Sequence, residues 1–347
     1  MKFGVMLPHY RQVASSKGII KVAQEAESTG FHSAWVSEHT AVPDQDVERF
    51  GLGYFDPFTV LGYAAAVTKQ ITLATSIIIM PFRNPLHMAQ VAATVDQLSH
   101  GRLILGVGVG SAEKEYRALG AQWEERGSVA DEVIQVLQHV WTADHPNFEG
   151  NHFNFSGINS YPQPVQRPHP PFWIGGGSRR SIRRAAEYGD AWHPSRPSFE
   201  LLEEGAPRLL RLAEQAGRDP SKIQIAARHP MKILDGAAKS DWPLVGTESS
   251  VIEGITRFAS VGVTHLVMDT FYSIPELHDE TVDTVLATIR PANHSPVPRK
   301  LKREATHPGG IGSRQLTPKG GLTRWSCLSL GMVSQGTTPW QISATGQ

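Results

Sequence analysis

Residues 101–116 read GRLILGVGVGSAEKEY. The apolar run Leu103, Ile104 and Leu105 meets three alternating glycines, Gly106, Gly108 and Gly110, and Ser111 and Ala112 then lead into charged residues from Glu113. A buried strand running into a helix has this texture. Glycine at such a junction lets a ligand approach the main chain closely. The free N–H groups of a helix start favour an anion. A phosphate-bearing cofactor is therefore expected at this point of the chain.

Where that junction falls in the order of elements decides the fold. An apolar run at 3–7 is ended by Pro8, and Ile19, Val22, Ala23 and Ala26 keep helical spacing until Gly30. A second strand is expected at 34–36, a helix at 58–67, a long β-branched strand at 71–80 and a helix at 85–98. The fourth strand, 103–109, is the one that carries the glycines. Val129, Val133, Val136, Leu137 and Val140 then line one face of a helix ending near Trp141. Alternation over 147–155 gives a small hairpin turning at Glu149-Gly150. Further strands are expected at 172–174, 191–192, 223–227 and 265–268. Helices run from the second glycine cluster to Gly189 and over 201–216 and 249–261, and 281–289 closes the body.

Eight strand–helix units in succession favour a (β/α)8 TIM barrel over residues 1–291. The alternative is a doubly wound open sheet, which places its glycine fingerprint after the first strand. Here the first strand ends in Pro8-His9, and Ser111 stands where a dinucleotide fingerprint has its last glycine.

The chain has 347 residues and a formal net charge of zero, so no global field points to nucleic acid or an anionic membrane. The single cysteine, Cys327, excludes an intramolecular disulfide and suits a reducing, cytoplasmic setting. No apolar run approaches a membrane span, and the run at the N-terminus is too short for a secretory segment. Residues 292–347 differ in texture. They hold seven Lys/Arg and one acid, Glu304, so this segment is +6 and the rest of the chain −6. Rich in Gly, Ser, Thr and Pro and without period, it reads as a disordered basic tail.

In a barrel, chemistry sits at the C-terminal ends of the strands. The residues expected there include His9, Glu38, His39, Ser76, Gly108 to Ser111, Gly175 to Ser178, His193 and Asp269. His39 follows a buried strand and an acid and can exchange a proton near neutral pH; a satisfied core histidine is the plainer alternative. Gly175-Gly176-Gly177-Ser178 forms a second strand-to-helix junction, with Ser178 as N-cap. Arg179, Arg180, Arg183 and Arg184 follow it, against the helix dipole, which a bound anion would offset; solvated arginines are the alternative. Metal motifs, cysteine pairs and a nucleophile elbow do not occur, so a metal hydrolase has little support.

Together these residues resemble the bacterial luciferase-like superfamily, in its deazaflavin (coenzyme F420)-dependent branch. The similarity covers about residues 1–292. It is carried by Trp35-Val36-Ser37-Glu38-His39, Asp56-Pro57-Phe58, the strand 71–81 with Arg83-Asn84-Pro85, and Asp96-Gln97-Leu98-Ser99 with Gly101-Arg102. It continues through Gly106 to Gly110, Glu125-Arg126-Gly127, Pro164-Val165-Gln166 with Pro168, Trp173-Ile174-Gly175-Gly176, and Tyr188-Gly189-Asp190-Ala191-Trp192.

The resemblance implies a barrel with a ring-shaped cofactor in its mouth, F420 or alternatively FMN, and a small organic substrate. It assigns proton handling to His39, with Glu38 beside it. It implies a non-prolyl cis peptide behind the ring at Ser76-Ile77. The phosphate-binding backbone would be Gly108, Val109 and Gly110, extended by Ser111, with Gly176, Gly177 and Ser178 opposite. Apolar strand ends such as Ile77 and Ile78 would hold the ring. The family also implies a homodimer, and a flavin reductase partner if the cofactor is FMN. One departure matters. In the sugar-phosphate dehydrogenases of the branch an acid follows the Gly-x-Gly, where this chain has Ser111; Glu113 and Glu38 are the acids near in sequence. Hydride transfer with an alcohol, carbonyl or activated alkene is expected. An FMN-dependent monooxygenase and a non-catalytic flavin-binding barrel are the alternatives.

Overall fold

The computed structural model describes residues 1–234, 240–271 and 281–283. The expected tail, the boundary at 291/292 and most of the closing helix at 281–289 lie outside these residues.

Eight parallel strands form the barrel, numbered β1 (Lys2–Met6), β2 (Ser33–Val36), β3 (Thr72–Thr75), β4 (Leu103–Gly108), β5 (Phe172–Gly175), β6 (Ala191–His193), β7 (Gln224–Pro230) and β8 (His265–Asp269). Each pairs with the next, and β8 returns to β1 with Phe3 opposite Leu266 and Val5 opposite Met268. The sheet is closed. The open doubly wound alternative is excluded, because it would leave two free edges.

The helices around it are α1 (Ser16–Ser28), α2 (Pro57–Val67), α3 (Pro85–Leu98), α4 (Arg126–Thr142), α5 (Arg179–Tyr188), α6 (Phe199–Gln215) and α7 (Glu248–Ser260). Their starts are chemically marked. The side chains of Ser15, Asp56, Asn84, Ser178, Ser198 and Thr247 each accept a backbone N–H of the first turn, and Pro57 and Pro85 occupy first-turn positions that lose no helical hydrogen bond. Burial then follows the spacing of apolar residues. In α4, Val133, Ile134, Val136, Leu137, Val140 and Trp141 are buried on one side, each contributing about 1.5–3 kcal/mol by leaving water. No helix among the described residues is long and apolar enough to cross a membrane.

Inside the barrel, aromatic rings fill the space. Trp35, Trp173, His193 and His265 pack with centroids 4.9–5.8 Å apart. Ser33 Oγ satisfies Trp35 Nε1 at 2.6 Å and meets His265 Nε2 at 2.8 Å, so these two polar edges of the plug are bonded despite burial.

The expected strand over 71–80 is corrected to two segments. β3 stops at Thr75, the Ser76–Ile77 peptide is cis, and Ile78–Ile79 resumes pairing against Val107 and Gly108 of β4. The two strands approach closely at Thr75 and Gly106, where Thr75 Oγ1 donates to the Gly106 carbonyl at 2.7 Å. The hairpin forms as expected, with Phe148–Glu149 antiparallel to Asn154–Phe155.

Candidate active site

The loops at the C-terminal ends of six strands enclose a cavity of about 720 Å³, counting its open mouth. Tyr10 enters it from the end of β1, and Ser37, Glu38 and His39 from β2. Ser76, Ile77 and Ile79 come from the break after β3, and Gly110 and Ser111 from β4. Ser195, Arg196 and Arg228 come from β6 and β7, while Arg49, Phe50 and Tyr54 complete the wall from the loop after β2. The size and the mixture of apolar wall with a few polar groups suit a small-molecule site.

His39 is held on three sides. Its ring lies 4.1 Å from Phe50 and 5.1 Å from Tyr54 between centroids. Its Nδ1 is 2.8 Å from Glu115 Oε2. A carboxylate only accepts, so the proton sits on Nδ1, and the lone pair of neutral His39 is on Nε2. Nε2 has no partner among the described residues. The other oxygen of Glu115 accepts the N–H groups of Thr40 and Ala41 at 2.7 and 3.0 Å. Burial opposes the charge on Glu115, but His39 and these two amides outweigh it and hold the carboxyl below its ordinary value.

Glu115 is the residue bonded to His39 that the sequence reading missed. It stands in the short helix Glu113–Ala118, between buried Ala112 and Tyr116. The spacing 112, 115, 116 marks one helix face, and an acid on that face is the signal that could have found it. Glu113, one of the acids noted nearby, points elsewhere and pairs with Arg117 at 2.6 Å.

Glu38 was expected to share the chemistry with His39. Its carboxylate is instead engaged elsewhere: one oxygen accepts the Ile79 N–H at 2.6 Å, and the other binds Arg83 through Nε at 2.8 Å and through Nη2. Burial pushes this carboxyl up, and Arg83 and the Ile79 amide pull against it. Arg83 also reaches Asp56 at 2.9 Å, the N-cap of α2. Glu38 thus ties the Ile78–Ile79 segment to the loop ahead of α2.

Several of the glycines are required by packing. A Cβ on Gly106 would lie 1.7 Å from the Thr75 carbonyl, and one on Gly108 3.0 Å from Ile77 Cδ1. On Gly175 it would lie 2.8 Å from Ile77 Cγ2. These three make room for β3 and for Ile77. Gly110, at φ +61, faces Ile79 and does line the cavity with Ser111. Gly108 and Val109 do not line it, and the Val109 carbonyl accepts Tyr116 Oη–H. Gly176, Gly177 and Ser178 are exposed at the start of α5, outside the cavity wall. Ser178 caps that helix at Ser181 N. The arginine run needs no anion at two of its positions: Arg183 binds Glu187 and Asp131, and Arg184 binds Asp131 and the Gly127 carbonyl. Ile79, rather than Ile78, joins Ile77 as apolar wall.

His9 and His193 are buried and uncharged. His9 Nε2 accepts the Ser37 N–H at 2.8 Å, so Nδ1 donates to the Leu7 carbonyl at 2.7 Å. Burial lowers its pKa to about 4. Burial and then Arg228 lower that of His193 to about 3, and its Nε2 meets Ser76 Oγ at 2.9 Å. Asp269 is the counterion of Arg228. No group of His, Cys, Asp and Glu that could hold a metal occurs among the described residues.

Residues 1–240 match the family model of the luciferase-like monooxygenases. An uncharacterised protein of Mycobacterium tuberculosis is 31% identical over 256 residues, covering 69% of this chain and 89% of that one. The F420-dependent glucose-6-phosphate dehydrogenase of Amycolatopsis mediterranei is 33% identical over 182 residues, 51% of this chain and 52% of the enzyme. The FMNH2-dependent dimethylsulfone monooxygenase of Pseudomonas putida is 31% identical over 191 residues, 53% and 50% of the two chains.

Proposed function

Because the chain belongs to the luciferase-like monooxygenase family, we propose that it is an F420-dependent oxidoreductase in which His39 handles the proton that accompanies hydride transfer. The observation that carries this reading is the bond from His39 Nδ1 to Glu115, which leaves Nε2 basic in the cavity wall.

The cavity suits a tricyclic ring. Ile77 and Ile79 give it an apolar side, and Ser111, Ser195 and Arg228 offer hydrogen-bonding groups. Ile77 is wedged against Gly108 and Gly175, so its face is fixed before anything binds. A bound deazaflavin supplies a carbon that gives or takes a hydride. The protein's part is to hold substrate and ring together and to move one proton. His39 Nε2 takes that proton from a substrate hydroxyl in oxidation, or returns it in reduction. Glu115 orients the imidazole and offsets its charge once protonated. Glu38 holds Ile79 in place and takes no proton. Phe50 and Tyr54 pack against the ring of His39 and restrict its rotation.

The substrate class is a small alcohol, carbonyl or activated alkene. Ser111 in place of an acid speaks against a sugar phosphate. An FMN-dependent monooxygenase with a reductase partner is the second reading, and the similarity to the dimethylsulfone enzyme favours it. Titration of the protein with F420 and with FMN, followed by cofactor fluorescence, separates the two. F420 binding in the micromolar range or tighter, with weak FMN binding, is the expected result. Tight FMN binding without F420 binding overturns the assignment. The basic segment 292–347 is proposed to take no part in the chemistry. Its removal is expected to leave turnover unchanged.

A further inference from the structure

Arg228 is placed where a wholly structural arginine need not be. It sits in β7 with its side chain 9% exposed, and that small exposure is to the cavity. Nε and Nη2 both donate to Asp269 Oδ2, at 2.8 and 2.5 Å, and Nη1 donates to the Ser76 carbonyl at 2.7 Å. Asp269 is itself oriented, since its Oδ1 accepts the Phe271 N–H at 3.1 Å.

A guanidinium carries five N–H groups. Three are used in these bonds. One on Nη1 and one on Nη2 remain without a partner among the described residues. An unused donor of a buried cation is costly unless an acceptor meets it. Burial works against the charge, but Asp269 more than restores it, so the group stays protonated throughout the working pH range. The donors next to Ser76 and Ile77 therefore form a fixed, positively polarised edge on the wall proposed to receive the ring.

We propose that Arg228 is a cofactor-binding residue: while fixing the Ser76 carbonyl, it donates its two remaining N–H groups to the electron-rich pyrimidine carbonyl edge shared by deazaflavin and flavin rings. This rests on the reading of the cavity as a ring-cofactor site. Negative charge gathers at that edge when the ring is reduced, so Arg228 favours the reduced form over the oxidised one.

The test uses the full chain, with Arg228→Lys and Arg228→Gln. Binding of F420 and FMN is followed by fluorescence, and the midpoint potential of the bound cofactor is measured. Both variants are expected to bind at least tenfold more weakly, and the Gln variant to have a more negative potential. Folding of each is checked by near-ultraviolet circular dichroism. A folded Lys variant with wild-type affinity and an unmoved potential overturns the proposal. If neither variant folds, the wild type decides. Analogues of the bound cofactor with sulfur for either pyrimidine carbonyl oxygen are expected to lose affinity tenfold at one position or both. Equal affinity at both positions overturns the proposal. A wild type that binds neither F420 nor FMN overturns this proposal together with the function it rests on.

Discussion

His39 and Glu115 are 76 residues apart in sequence, and Nδ1 of the first lies 2.8 Å from Oε2 of the second. The same carboxylate accepts two consecutive amides, Thr40 and Ala41. One acid therefore sets both the tautomer of the imidazole and the path of the chain leaving it. The loop after β2 is thereby anchored to the loop after β4.

Substitution of His39 by Ala removes the proton-handling group but leaves the wall made by Ile77 and Ile79. Turnover is expected to fall by about 10²- to 10⁴-fold, the usual contribution of general acid–base catalysis. Cofactor affinity is expected to change no more than a few-fold. Steady-state kinetics and a fluorescence titration on the same preparation check this. Unchanged turnover would remove His39 from its role.

Glu115→Gln keeps the size of the side chain and loses its charge. An amide oxygen can accept the Thr40 and Ala41 N–H groups, but the NH2 group then faces His39 Nδ1. The favoured outcome is reversal of the tautomer, with the proton moved to Nε2. Turnover is expected to fall at least tenfold in the direction that needs a base. Stability is expected to fall by about 1–3 kcal/mol, the cost of weakening a buried charge-assisted network. NMR of the imidazole nitrogens reads the tautomer directly, and retention of the Nδ1–H form would sink this account.

Eight strands were legible in the sequence because each is a short apolar run between turn residues, and the seven labelled helices because their apolar residues recur at helical spacing between stop signals. In α5, Arg183 and Arg184 gave the look of an anion site; Glu187 stands one turn after Arg183, but Asp131, which binds both arginines, lies 52 and 53 residues away in sequence. The split of 71–80 could not be seen in residue pattern, since Ile77, Ile78 and Ile79 look the same on either side of it. Gly106 and Gly108 were read as bare backbone. A methyl group at either would also press on Thr75 or Ile77 of the neighbouring segment. Glu115 was hidden by company: Glu113, Lys114 and Arg117 make its helix look solvated, while Ala112 and Tyr116 on its own face are buried.

Four buried histidines make the fold sensitive to mild acid. Burial lowers the pKa of His9 and His229 to about 4 and of His193 to about 3, and takes His265 well below the ordinary value. Unfolded histidine titrates near 6.5. Below about pH 6.5 the unfolded chain therefore binds more protons than the native one, and stability falls with falling pH. It goes on falling until pH passes the native values near 4 and 3. Each histidine contributes up to about 1.4 kcal/mol per pH unit in that window. Urea midpoints at pH 7, 6 and 5 are expected to decline steadily. A flat profile would mean that these rings are not held neutral.

The glycines of β4 give the last test, because two readings of Gly108 predict different ligand dependence. In Gly106→Ala the new methyl group would meet the Thr75 carbonyl at 1.7 Å. Backbone cannot yield there without opening β3 from β4, so loss of the folded barrel is expected in a thermal melt. In Gly108→Ala the methyl group meets only Ile77 Cδ1 and Cγ1, at 3.0 and 3.1 Å. A side-chain tip can turn aside, at a cost of about 1 kcal/mol, but the space it turns into is the cavity that Ile77 lines. The variant is expected to fold and to bind a ring several-fold more weakly. If Gly108 serves to seat Ile77, FMN and riboflavin suffer equally, because both carry the ring. If it serves instead to bare the backbone to a phosphate, FMN is weakened and riboflavin is not. Equal loss for both ligands supports the packing role, and loss confined to FMN returns Gly108 to the phosphate site.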